Sequence, residues 1–277
     1  MRHALQGHES LSAAQFRTIQ RLLHDVSGIA LADNKQSLVH ARLGRRLRAL
    51  KLPSITEYIE FLKGDEQGTS ELLSMIDVLT TNKTSFFRER AHFDFLTELL
   101  PHWNRLPEVR IWSAGCSSGQ EPYSFVMHLA EEAATEQLRR TRVLATDISR
   151  PVLEQARRGS YRRDAVRGVP PPMLARYFES RDGPDGHVYR LRDRYRSAVS
   201  FARLNLVGQW PMRGPFQLIS CRNVMIYFDA PTRAAIASRF RQLLAPGGYL
   251  FVGHAETLGS DPRGYELILP AVYRRAD

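Results

Sequence analysis

The segment IWSAGCSSGQEPYS, Ile111 to Ser124, limits the folds open to this chain more than any other stretch. Ile111 and Trp112 have strand character, Gly115 and Gly119 bracket a loop of small residues, and a helix follows. Ser118 and Glu121 have capping-box spacing, and Pro122 is tolerated in a first helical turn. A strand that breaks through glycines into a helix lets a ligand approach bare N–H groups at the positive end of that helix. Nucleotide, dinucleotide and adenosyl cofactors all use such a loop, so the surrounding pattern has to decide among them.

From residue 91 onward short apolar runs alternate with helical ones. The pattern predicts strands over 109–114, 142–147, 216–221 and 249–253, and helices over 120–134, 150–158 and 231–244. Asp229 is placed to cap the last helix, with Pro231 in its first turn. Alternation of this kind means a parallel sheet covered on both faces, and Tyr265 to Arg275 reads as a strand returning antiparallel along its edge. Residues 159–200 break the rhythm with Pro170 to Pro172, the turn-rich RDGPDG, and alternating runs at His187–Leu191 and Ala198–Arg203. These predict a small antiparallel insertion at about 178–202. Residues 11 to about 78 read as helices alone. Phe16, Ile19, Leu22, Leu23 and Val26 share a face that Gly28 ends, and Asp33 or Asn34 is placed to cap a second helix running to Leu50. Two more helices are expected over 54–63 and 70–79. The expected architecture is an all-helical domain at 1–79 ahead of an α/β domain at 80–277.

No apolar run approaches the ~18 residues of a membrane span, and no secretory leader opens the chain, so a cytoplasmic protein is the expectation. Cys116 and Cys221 are too few for a disulfide framework, and neither they nor the nine scattered histidines have metal-site spacing. The formal charge of +10 implies an acidic partner. On the second helix Arg42, Arg45 and Arg46 cluster away from the apolar stripe with no interleaved acid, which makes them the candidate docking face.

In an open α/β sheet, ligands bind beyond the carboxyl ends of the strands. There the sequence places Gly115 to Glu121, then Asp147, suited to accept from ribose hydroxyls, then Asn205–Leu206, Arg222–Asn223 and Tyr227. Gly115 and Gly119 lack the intervening glycine of the dinucleotide fingerprint, and no Gly-Lys-Ser/Thr follows. An adenosine-bearing cofactor without a pyrophosphate fits better, which points to S-adenosylmethionine.

The ordered set TNKTSFFRE, IWSAGCSSGQEPYS, ATDIS, CRNVMIYFD and APGGYLFVGHAETL resembles the CheR family of chemotaxis receptor methyltransferases, and LVHARLGRRLRAL resembles that family's basic helix. The resemblance implies a Rossmann-like methyltransferase sheet behind a helical receptor-docking domain. It implies methyl transfer from S-adenosylmethionine to glutamate side chains on the cytoplasmic helical bundle of a chemoreceptor, with S-adenosylhomocysteine as product. The family's cofactor-binding residues map onto Asn82, Thr84, Arg88, Glu121, Asp147, Asn205, Leu206, Arg222 and Asn223, beside Gly115 of the loop. Arg88 and Tyr227 match the reacting end. The insertion stands where some members carry a β-subdomain that grips a receptor C-terminal peptide. Two other readings compete. The positive charge suggests a nucleic-acid methyltransferase, but Cys221–Arg222–Asn223–Val224 stands where the Asp/Asn-Pro-Pro-aromatic turn of such enzymes would be. A non-catalytic adaptor would show decay at Gly115, Gly119, Asp147, Arg88 or Tyr227, and all are present.

Overall fold

The computed structural model describes residues 11–132, 139–183, 186–259 and 262–276. It divides into two compact units. One runs to Thr81 and takes in Tyr227–Asp229; the other comprises Asn82–Ile226 and Ala230–Asp277.

Among its described residues the first unit is built on four helices, α1 (Ala13–Ser27), α2 (Gln36–Leu50), α3 (Ile55–Leu62) and α4 (Glu66–Leu79). Ser12 and Gln15 form a full capping box at the start of α1, and Gly28 closes it with φ 71°, a conformation that glycine adopts without strain. The expected cap at Asp33 is not what starts α2. Asp33–Lys35 form a 3₁₀ turn, and the Asp33 carboxylate instead accepts from Gln20 at 3.0 Å. Helix α4 begins a turn earlier than the apolar pattern indicates, because Asp65 caps it through the Gln67 N–H. Residues 227–229 join these helices through main-chain pairing. The Ala30 N–H donates to the Tyr227 carbonyl at 2.8 Å, Ile29 bridges Phe228, and the Asp229 carboxylate lies 3.1 Å from the His24 ring.

The second unit carries strands β1 (Val109–Ala114), β2 (Thr141–Asp147), β3 (Ser160–Arg162), β4 (Phe178–Gly183), β5 (Gly186–Leu191), β6 (Val199–Arg203), β7 (Phe216–Cys221), β8 (Leu244–Val252), β9 (Tyr265–Leu269) and β10 (Val272–Arg275). Seven of them form one sheet in the order β6-β2-β1-β7-β8-β10-β9, parallel from β6 to β8 and antiparallel beyond. Helices α5 (Ala91–Trp103) and α6 (Gln120–Glu132) supply Phe93, Leu96, Tyr123 and Phe125 to the core that holds Ile111. On the opposite face Trp112 meets the rings of Trp210, Phe216 and Phe240 at 5.0, 5.8 and 5.1 Å. Burial on both faces is why apolar Ile111 and Trp112 stand side by side in β1 instead of alternating with polar residues.

The inserted antiparallel sheet is drawn from other residues than the sequence suggests. It consists of β3, β5 and β4 in that order. The run Ala198–Arg203, assigned to the insertion on its alternation, belongs to the main sheet, where β6 pairs in parallel with β2. As an edge strand β6 is buried only at intervals, which produces the same alternating signal. Among the described residues no helix is long and apolar enough to cross a membrane.

Candidate functional site

Register brings the loops of the second unit to one rim. Ala114 stands opposite Thr146, Asp147 opposite Arg203, Ser113 opposite Ser220, and Cys221 opposite Val252. The segments that leave β1, β2, β6, β7 and β8 therefore emerge side by side, and they carry Gly115, Asp147, Asn205–Leu206, Arg222–Asn223 and Gly253.

These segments are fastened to one another. Gly115 has φ +87°, and a Cβ there would run into the Val224 side chain of the loop after β7, so glycine is required by both conformation and space. The Gly115 and Cys116 N–H groups donate to the Thr146 carbonyl at 2.7 and 2.9 Å. Buried Asp147 accepts from the Ser117 N–H at 2.8 Å through one oxygen and from the Ser149 N–H at 2.9 Å through the other. Its carboxylate thus fixes the glycine loop, a task the sequence reading did not give it beside the expected ribose contact. The Leu204 N–H donates to the Asp147 carbonyl, which carries Asn205 and Leu206 to the same place. The Ser117 hydroxyl donates to the Asn82 carbonyl at 2.9 Å, laying the segment of Asn82 and Thr84 over the loop.

Glu121 departs from its expected role as a helix cap. Its carboxylate accepts from the Ser113 hydroxyl at 2.7 Å and from Arg222 Nη1 at 3.1 Å, facing the sheet instead of its own helix end. Arg222, with 2% of its side chain exposed, also donates Nε and Nη2 to Glu89 Oε2 at 3.2 and 3.1 Å and Nη2 to the Arg88 carbonyl. One buried guanidinium therefore joins the loop after β7, the start of α6 and the FFRE segment. Its two carboxylates titrate in opposite directions. Burial works to raise Glu89, but the Arg222 charge and the His254 N–H hold it below the ordinary range. Burial raises Glu121, and Arg222 offsets this only in part. Phe87 and Glu89 both have positive φ, 51° and 59°, so the backbone doubles back here and Glu89 turns inward. Arg88 lies half-buried, with Nη1 3.2 Å from the Lys83 carbonyl. Asn223 follows with φ 59°.

Glu89, His92 and His254 each place one potential ligand atom within 4.8 Å of the others. The Glu89 oxygen facing both rings is the one that accepts from Arg222, and a divalent ion there would meet like-charge repulsion from the guanidinium. His92 stacks on Phe251 at 4.6 Å, and burial, with Arg222 adding, pushes its imidazole down to about 4 from 6.5. As pH falls the unfolded chain takes up this proton first, so His92 makes the fold weaker below about pH 6.5. His92→Phe is expected to remove about 2 kcal/mol of the stability difference between pH 7 and pH 5. Urea midpoints at the two pH values check this, and an unchanged difference would count against it. Both cysteines are buried and burial pushes their thiols well up, which makes them inert packing residues.

A family model described as CheR methyltransferase, SAM binding domain, matches residues 82–271, and one described as CheR methyltransferase, all-alpha domain, matches residues 14–80. The chain belongs to the CheR methyltransferase family. Among its relatives, the chemotaxis protein methyltransferase of Escherichia coli (strain K12) is 43% identical over 265 residues, which cover 95% of this chain and 91% of that protein. That of Salmonella typhimurium is 42% identical over 265 residues, again with 95% and 91% covered. That of Borreliella burgdorferi is 37% identical over 264 residues, with 92% of each covered. S-adenosylmethionine is thus the cofactor of this CheR methyltransferase, and the rim suits it. It offers a loop stripped of side-chain bulk at Gly115, N–H groups at the start of α6 and a carboxylate at Asp147.

The basic helix of this CheR protein differs from its sequence reading. Arg46 makes a paired contact with buried Glu71, at 2.8 and 2.6 Å, and Tyr58 donates to the same carboxylate at 2.8 Å. Burial first and the Glu71 charge second push that phenol up. Arg42 donates to the Leu79 and Thr80 carbonyls at 2.7 and 3.0 Å, closing the end of α4. Only Arg45 of the three is exposed, with Leu38 and Arg48 also outward on α2. Tyr227 belongs to the helical unit, and its hydroxyl donates to the Thr81 carbonyl at 3.3 Å. The sequence reading gave no role to Glu89, Glu71 or Glu256. Glu89 and Glu256 lie inside the quoted motifs, which was the one available signal.

Proposed function

We propose that this CheR methyltransferase esterifies glutamate side chains on the cytoplasmic helical bundle of a chemoreceptor, in chemotaxis adaptation or a related sensory pathway. The observation that carries this is the rim itself, where Gly115, Asp147, Asn205 and Asn223 are gathered by register and by direct bonds, in a chain whose relatives are chemotaxis protein methyltransferases. When bound, the cofactor supplies a methyl group on a sulfonium. Asn82, Thr84, Arg88, Gly115, Glu121, Asp147, Asn205, Leu206, Arg222 and Asn223 are assigned to holding it. A glutamate carboxylate has a pKa of about 4.3, so it arrives at neutral pH as a ready anion. The chain then needs no general base. What it must do is orient the acceptor and keep water away. Arg88 is assigned the orienting role through its paired N–H donors, and it must not bind the anion so tightly that the nucleophile's charge is held back. Tyr227 is assigned to the reacting end, by one hydrogen bond or by packing against the cofactor.

Purified protein incubated with methyl-labelled cofactor and receptor membranes should yield alkali-labile label on glutamate. Label that survives alkali, label on nucleic acid, or none with any cognate receptor would overturn the reading. The insertion of β3, β4 and β5 is the proposed seat for a receptor C-terminal peptide.

On the helical unit the docking charge narrows to Arg45. Arg45→Glu should raise the apparent KM for receptor about threefold or more at low salt, less at high salt, with cofactor affinity unchanged. An unaltered KM would remove Arg45 from docking. Arg46→Glu is a poor probe, because it buries a second carboxylate against Glu71 and acts on folding.

A further inference from the structure

We infer that Glu256 is a positioning residue for the cofactor site, acting by holding Asn223 at the rim. The inference rests on the assignment of Asn223 to the cofactor. The last rung of pairing between β7 and β8 is Cys221 with Val252. Beyond it the two chains would part, each with unpaired N–H groups. Glu256 prevents this. Its backbone N–H donates to the Gly253 carbonyl at 2.8 Å, which closes a turn and folds the side chain back over the strand ends. Oε2 accepts from the Asn223 N–H at 2.6 Å and from the Gly253 N–H, and Oε1 accepts from the Ile226 N–H at 3.0 Å. Buried Glu256, 8% exposed as a residue, thus serves three main-chain donors on two strand exits.

The seat is fitted as well as charged. A Cβ on Gly253 would meet the Asn223 side-chain amide and would lie 2.8 Å from Glu256 Oε2 and 2.9 Å from the Asn223 nitrogen. Asn223 is held at φ 59°, a conformation that is unfavourable for most side chains and therefore needs support. The next residue, Val224, is the one that fills the space a side chain on Gly115 would need. Releasing the Asn223–Ile226 loop would shift Val224 against the glycine loop and Asn223 away from its place. The effect would reach the cradle from two sides, though Glu256 has no assigned contact with the cofactor.

The test uses the full chain and calorimetric affinity for S-adenosylhomocysteine. Glu256→Gln keeps the shape but replaces one acceptor oxygen with an NH₂ that faces a backbone N–H. Its Kd should rise about tenfold, near the lower end of the cost of leaving a buried N–H unpaired. KM for S-adenosylmethionine should rise with it, while kcat at saturating cofactor stays within about threefold, the signature of lost binding rather than lost chemistry. Asn223→Ala should also weaken binding, and adding Glu256→Gln to it should cost less than Glu256→Gln costs alone, since the part of its effect that runs through Asn223 is already lost. Gly253→Ala presses on the same amide from the other side and should reproduce the loss if Glu256→Gln proves too unstable to titrate. An unchanged Kd in folded Glu256→Gln, or fully additive losses in the double variant, overturns the inference. An unchanged Kd in Asn223→Ala overturns the assignment of Asn223 and this inference with it.

Discussion

Arg222→Ala is expected to cost about 3–5 kcal/mol of folding stability at pH 7, the range for breaking one side of a buried ion pair. The guanidinium is 2% exposed, and its removal leaves Glu89 and Glu121, 12% and 13% exposed, facing each other without a cation. Glu89, now held below the ordinary carboxylate range by Arg222, would lose that support, and Glu121, already raised by burial, would rise further. The sign of the pH dependence follows. A carboxyl kept neutral in the fold but ionised in the unfolded chain binds more protons when native, so its favourable contribution is present at low pH and lost as pH rises through the folded value. The destabilisation of Arg222→Ala should therefore be smaller at pH 5 than at pH 7. Urea unfolding at both pH values checks this. An equal loss at the two would mean that the guanidinium acts through packing or its bond to the Arg88 carbonyl. A second variant separates these. Arg222→Met with Glu89→Gln and Glu121→Gln removes all three charges, and it should recover much of the stability while failing to restore activity.

What the sequence made legible and what it hid divide along a physical line. Strand β1 and the glycine loop were readable because a doubly buried strand must be apolar and a turn at φ +87° favours glycine. The order of strand ends then placed Asp147, Asn205 and Asn223 at one rim. Glu121 was read as a cofactor residue or a helix cap, and its bonds to Ser113 and Arg222 were hidden, because capping-box spacing says nothing of where a side chain turns and Arg222 lies 101 residues on. Arg46 failed similarly. Its helix shows no interleaved acid, but Glu71 comes from α4, 25 residues later. The insertion was overdrawn because alternation reports a half-buried strand and not the sheet to which it belongs. The partners of charged groups were hidden throughout, since ion pairs leave no periodicity.

Asp147 should then show two separable losses. Asp147→Ala leaves the Ser117 and Ser149 N–H groups without their acceptor in a buried setting, at a cost of about 1–3 kcal/mol for each such group. The glycine loop loses its tie to β2, and affinity for S-adenosylhomocysteine should fall by about tenfold or more, on the scale of ~1.4 kcal/mol per factor of ten. That loss alone would not show that Asp147 meets the ribose, because a loosened loop weakens binding as well. Removing the hydroxyls from the ligand instead of the carboxylate from the protein distinguishes the two. A 2′,3′-dideoxy analogue of S-adenosylhomocysteine should bind the wild-type chain more weakly than the parent ligand, yet bind Asp147→Ala about as well as the parent does. Such non-additivity is the mark of groups that touch. If the variant discriminates the two ligands as strongly as the wild type, Asp147 holds the loop and some other group reads the ribose.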